Sequence, residues 1–120
     1  MKSHTKRAVA YIAGRLVSGK QVSWVYDYSD SRHHSISGNV DDDRVSVYDY
    51  DLGKHISGHN GSGSFSLYHY GNGKHITLSV DGNRFKGYDY DTGRHFSGSI
   101  NGNSISLYDY EDGGYTNFSI

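Results

Sequence analysis

At 120 residues the chain has the length of one domain that can bury a continuous core without cross-links, and the absence of cysteine removes both a disulfide framework and a thiolate metal site. Twelve Lys and Arg against thirteen Asp and Glu give a formal charge of −1, which argues against a nucleic-acid footprint or a polybasic membrane patch. The apolar fraction of 34% is low, yet twelve Tyr and sixteen Gly set the composition apart from the aromatic-poor, highly charged one of disordered chains.

In chain order, Lys2, Lys6 and Arg7 precede an apolar run from Ala8 to Ile12. Gly14 and Arg15 interrupt that run before it reaches the length of a signal peptide's apolar core, so the segment reads as a frayed end leading into a strand. Tyr11-Ile12-Ala13-Gly14-Arg15-Leu16 lines up with His95-Phe96-Ser97-Gly98-Ser99-Ile100, which makes 9–20 a half-unit ahead of the first full repeat. Nothing approaches the ~20 apolar residues of a membrane-spanning helix, so no membrane insertion is expected and the cellular compartment stays open.

From there the chain is a repeat. Tyr-Asp-Tyr occurs at 26–28, 48–50, 88–90 and 108–110, with Tyr-His-Tyr at 68–70. A turn and a second common segment follow each triplet, as in Gly53-Lys54-His55-Ile56-Ser57-Gly58, Gly73-Lys74-His75-Ile76 and Gly93-Arg94-His95-Phe96-Ser97-Gly98. The units run approximately 21–42, 43–62, 63–82, 83–102 and 103–120. The first is irregular at Ser29-Asp30-Ser31-Arg32-His33-His34, and the last drifts to Gly113-Gly114-Tyr115-Thr116-Asn117-Phe118, as terminal units that cap an array often do.

The apolar residues have a period of two in Val45-Ser46-Val47-Tyr48-Asp49-Tyr50 and in Ile76-Thr77-Leu78-Ser79-Val80, the signature of strands with one buried face. Asp91-Thr92-Gly93, Asn101-Gly102-Asn103, Gly71-Asn72-Gly73 and Asp81-Gly82-Asn83 supply turn residues that tolerate positive φ, so consecutive strands pair antiparallel. The complete absence of Pro suits a sheet that needs nearly every amide for its ladders. The expected fold is all-β, an up-and-down meander of 10–11 short strands, rolled or closed into a barrel or left as an open coiled single sheet. One face collects Val, Leu, Ile and Phe and the other Tyr, Ser and His. The aliphatic face is the natural core, although a barrel of this size is wide enough for Tyr to point inward.

The pattern Tyr-x-Tyr-Asp-x-Gly-[Lys/Arg]-His-[Ile/Phe] at 48–56 and 88–96 resembles the YD (RHS-type) repeat, a hairpin unit with a Tyr-Asp pair, a Gly and a basic residue. That resemblance implies a coiled β-sheet acting as a scaffold rather than a catalyst.

The chemistry-bearing residues recur in columns. Tyr48, Tyr68, Tyr88 and Tyr108, with Tyr50, Tyr70, Tyr90 and Tyr110 beside them, continue the series begun by Tyr26 and Tyr28. Such rows stabilise a sheet through cross-strand pairs, and they also offer ring faces and hydroxyls to sugars or other flat ligands. His55, His75 and His95 form a third column, with Ser35 and Tyr115 in the corresponding slots of the first and last units. With a strand between them, neighbours in that column lie roughly 9–10 Å apart, too far to share one ion, so no metal or other cofactor is expected. Asp49-Tyr50-Asp51-Leu52-Gly53 and its counterparts match half of an oxygen-ligand calcium loop, but capping of turn amides accounts for them. No singular Ser, His and Asp constellation stands apart from the repeat, and Trp24 is the one Trp. The sequence therefore points to a non-enzymatic module binding carbohydrate or a protein surface through Trp24 and the Tyr and His columns. The alternative is a structural protein that self-assembles as a homo-oligomer through edge strands.

Overall fold

The computed structural model describes residues 1–120. One helix, α1 (Ser3–Ser18), precedes ten strands: β1 (Trp24–Asp27), β2 (Arg32–Val40), β3 (Arg44–Asp49), β4 (Lys54–Gly61), β5 (Ser64–His69), β6 (Lys74–Asp81), β7 (Arg84–Asp89), β8 (Arg94–Asn101), β9 (Ser104–Asp109) and β10 (Gly114–Ser119). Each strand pairs antiparallel with the next, and β10 returns to β1, with Tyr26 opposite Ser119 and Asp27 opposite Phe118. The meander is thus a closed barrel. Closure turns the first and last strands toward each other, so the edges on which pairing between chains depends are joined within one chain.

The aliphatic face is the inner one. Val45 and Val47, Leu67, Ile76 and Leu78, and Ile105 and Leu107 are buried, while the intervening Ser46, Ser66 and Ser106 face outward. Each hairpin after Tyr-Asp-Tyr closes on a glycine at positive φ (Gly53, Gly73, Gly93, Gly113), whose N–H donates to the carbonyl of the triplet's central residue at 2.7–2.9 Å. The first unit places Ser31 in that left-handed conformation instead, at φ 55°.

The half-unit expected at 9–20 is not a strand, and the wall has ten strands, within the expected 10–11. Residues 3–18 form α1, which passes through the barrel: every residue from Arg7 to Arg15 is buried, and the helix packs against β1, β2, β6, β9 and β10, strands from opposite sides of the wall. Eight strands leave room only for side chains, whereas ten leave a lumen wide enough for a helix with a small surface. Ala8, Ala10, Ala13 and Gly14 provide that surface, and a Cβ on Gly14 would meet Cδ1 of Ile105 at 2.8 Å and of Ile120 at 2.9 Å. The helix ends in an αL cap at Gly19, whose N–H donates to the Arg15 carbonyl. At about 1.5 Å per residue its 16 residues span about 24 Å, which carries the chain from one pole of the barrel to the other.

Helix and wall are fitted by exchange of volume. A Cβ on Gly87 would overlap the Thr77 carbonyl oxygen and come 2.5 Å from Cζ of Phe96, which takes the place held by Ile56 and Ile76 in earlier units. A Cβ on Gly98 would overlap both the Phe85 ring and the Ser106 carbonyl oxygen. Gly87 stands where Val47, Leu67 and Leu107 stand in other units, so the volume given up there is taken by the Phe96 ring. The irregularity of the first unit is also not where the sequence suggests. Its hairpin turn is the same length as the others; of the two extra residues, one lengthens β2 to nine residues and the other lengthens the following turn to Asp41-Asp42-Asp43. Within β2, Ser35 holds the column slot facing β3, its carbonyl accepting from Tyr50 N–H as that of His55 accepts from Tyr70. His33 holds the slot facing β1, opposite Tyr26, and the added inward position is His34.

Candidate binding face

Alternation along the strands divides each Tyr-Asp-Tyr triplet between two environments. Both tyrosines point out and the central residue points in. Tyr48, Tyr68, Tyr88 and Tyr108 are half-buried; Tyr50, Tyr70, Tyr90 and Tyr110 are 55–60% exposed. Within each pair the rings meet edge to face at centroid distances of 4.8–4.9 Å. His55, His75 and His95 lie exposed across the ladder, 4.6–4.9 Å from Tyr48, Tyr68 and Tyr88 in the same tilted arrangement. The inner tyrosine of each pair therefore braces both an exposed Tyr and an exposed His. The ladder continues at Tyr108 with Tyr115 and at Tyr26 with Tyr28 and His33. Trp24 sits apart, half-buried on β1 with its ring 5.1 Å from His33. The twelve residues singled out from the sequence thus share the outer wall, but as a belt around one end of it rather than as a single convergent site.

Between consecutive units the belt is grooved. One open groove of about 550 Å³ is lined by Ser66, Gly73, Lys74, His75, Thr77 and Tyr90. Its counterpart one unit on, also about 550 Å³, is lined by Lys86, Gly93, Arg94, His95, Phe96, Ser97 and Tyr110. The same set recurs as Lys54, His55, Ser57 and Tyr70, where the His55 and Tyr70 rings lie 6.5 Å apart. Each groove pairs an aromatic face from one unit with a cation, an imidazole and a hydroxyl from the unit before. The Lys and Arg of this set are visible in the repeat, but their part in the grooves follows only from the pairing of neighbouring units.

The inward residues of the triplets, Asp27, Asp49, His69, Asp89 and Asp109, form a buried ring at the pole where α1 begins. Each caps its own turn. Asp49 Oδ1 accepts from the N–H groups of Asp51 and Leu52, Asp89 from Asp91, Asp109 from Glu111 and Asp27 from Ser29, while His69 Nδ1 accepts from Gly71. Capping is the role expected of these carboxylates; their burial around a helix N-terminus is the part the sequence did not reveal. Cations from α1 and the segment ahead of it pair with two members of the ring. Arg7 Nε donates to Asp49 Oδ2 at 2.9 Å, and the Met1 ammonium donates to Asp109 Oδ2 and Glu111 Oε1, both at 2.7 Å. Asp89 has no such direct partner; burial, with the Asp91 charge adding to it, raises its carboxyl above the usual range. His69 Nε2 is buried without a hydrogen-bond partner. Burial, followed by the neighbouring His4, holds the imidazole down at about 4.

Two groups bring ligating atoms within 4.8 Å of one another: Asp27, Asp30 and His34, and Asp109, Glu111 and Asp112. The Met1 ammonium and Lys6 already occupy the second, Lys6 Nζ lying 3.0 Å from Asp112 Oδ2. In the first, the buried His34 ring spans two carboxylates, Nε2 lying 2.8 Å from Asp30 Oδ2 and Nδ1 2.5 Å from Asp51 Oδ2. No known protein family, curated protein or solved structure matches the chain.

Proposed function

We propose that the barrel is a non-enzymatic binding module whose repeated outer face of Tyr, His and Ser/Thr recognises carbohydrate. The observation that carries this reading is the groove between consecutive units, where an exposed Tyr ring, held by its edge-to-face neighbour, stands beside an imidazole and a hydroxyl. A sugar ring presents an apolar C–H face flanked by hydroxyls, which suits an aromatic plane with polar groups at its rim. Bracing by Tyr68 and Tyr88 removes ordering cost that a free Tyr70 or Tyr90 would carry into binding. Repetition of the grooves lets several weak contacts act together on one chain-like ligand.

A glycan array followed by titration calorimetry tests the reading. Binding is expected to weaken progressively as Tyr70, Tyr90 and Tyr110 are changed to Ala one after another, with the fold unchanged because all three side chains are exposed. An array without hits, together with Tyr nitration rates that no sugar slows, would remove the proposal.

A further inference from the structure

We infer that the grooves favour acidic polysaccharide, one carrying carboxylate or sulfate groups, over neutral glycan; this rests on the carbohydrate reading and goes beyond it. The formal charge of −1 hides an uneven distribution. Four of the thirteen acidic residues, Asp27, Asp49, Asp89 and Asp109, are buried inside the barrel. The acids of the hairpin turns at the same pole are drawn onto inner or polar-cap partners: Asp30 and Asp51 onto His34, Asp91 onto Lys2, Glu111 onto the Met1 ammonium and Asp112 onto Lys6. The turn of the central unit, Gly71-Asn72-Gly73, has no acid at all.

Lys74 and Arg94, at the strand ends opposite His69 and Asp89, line their grooves without a salt-bridge partner: His69 carries no carboxylate, Asp89 is buried and caps its own turn, and Lys2 holds Asp91. The groove before Tyr110 adds a second cation, Lys86, to Arg94. Equivalent cations are two strands apart, approximately 9–10 Å around the wall, a spacing on the scale of two linked sugars. An acidic group on alternate sugars could then meet successive cations while ring faces lie on Tyr70, Tyr90 and Tyr110. Arg94 offers a planar fork matched to carboxylate or sulfate, and Lys74 a point charge.

Titration calorimetry at low and physiological salt with three probes tests this: a neutral β-linked glucan hexasaccharide, an oligogalacturonate of equal length and a heparin-derived hexasaccharide, with oligothymidylate as a polyanion that is not a polysaccharide. Either acidic probe is expected to bind at least about tenfold more tightly than the glucan, to weaken with salt, and to lose about tenfold or more in the double variant Lys74→Ala/Arg94→Ala. Tyr90→Ala is expected to weaken both acidic and neutral sugars. Equal, salt-independent binding of the glucan would overturn the acidic preference and leave the carbohydrate reading standing. Binding of oligothymidylate as tightly as the acidic sugars would also overturn it, in favour of a surface that reads charge alone. Absence of binding by every oligosaccharide would remove both.

Discussion

His69 occupies a ring position held by Asp in the other four units, and replacing it with Asn isolates what the imidazole does there. An Asn Oδ1 can still accept the Gly71 N–H that His69 Nδ1 accepts at 3.1 Å, so the turn keeps its cap while the titrating group disappears. In the folded chain burial lowers the imidazole from 6.5 to about 4. A base with a depressed folded pKa contributes its full stability above the unfolded value, and loses it as pH falls from 6.5 toward 4, because the unfolded chain takes up the proton first. With about 2.5 pH units between the two values and about 1.36 kcal/mol per unit, His69 alone removes on the order of 3 kcal/mol by pH 4. Urea denaturation of wild type and His69→Asn at intervals across this range measures the difference. Groups away from residue 69 are common to both proteins and cancel, so the variant's stability is expected to fall less steeply with acid. Parallel curves between pH 6.5 and 4 would refute the assignment of a neutral, buried His69.

Removing the helix cation that serves Asp49, as Arg7→Met, leaves a fully buried carboxylate unpaired and is expected to cost about 3–5 kcal/mol, read as a shift in the urea midpoint. Asp89→Asn has the opposite sign: its raised folded pKa means that the ionised form costs stability at neutral pH, and Asn retains the bond from Asp91 N–H. The thermal midpoint at pH 7 is expected to rise, with the gain shrinking in acid as wild-type Asp89 takes up its proton. Gly58→Ala forces a methyl into the Ser66 carbonyl oxygen and to 2.8 Å from the Leu67 Cα, backbone atoms that cannot rotate away. The expected loss is about 1–3 kcal/mol or more by calorimetry. The same change at the exposed Gly61, whose Cβ meets nothing, is expected to be nearly neutral.

The wall was legible because it obeys a strict period. Ile76, Leu78 and Val80 against His75, Thr77 and Ser79 separate inside from outside by sequence parity alone, and five copies repeat the statement. The helix was illegible for the complementary reason. Surrounded on all sides, residues 7–15 carry charge only at Arg7 and Arg15, the two ends of the segment, and the short continuous apolar run between them reads equally well as a buried strand. The Ala-rich run and the Ser18-Gly19 stop were the available signals, and the chance match of Tyr11–Leu16 to His95–Ile100 masked them. The aromatic columns could be listed from the repeat, but not their division into bracing and exposed rings. The cationic grooves escaped notice because a charge summed over the chain does not say which acids are enclosed.

A wall that encircles the chain's own first segment also constrains the order in which it can be built. Residues 3–18 leave the ribosome before any strand exists, yet their lasting surroundings are complete only when Phe118 settles beside Asp27. Until that seam forms, the helix lacks part of its enclosure and the two outermost strands each lack a neighbour. Such long-range closure delays the rewarding contacts until β10 is available to pair with β1, so productive folding should be slow.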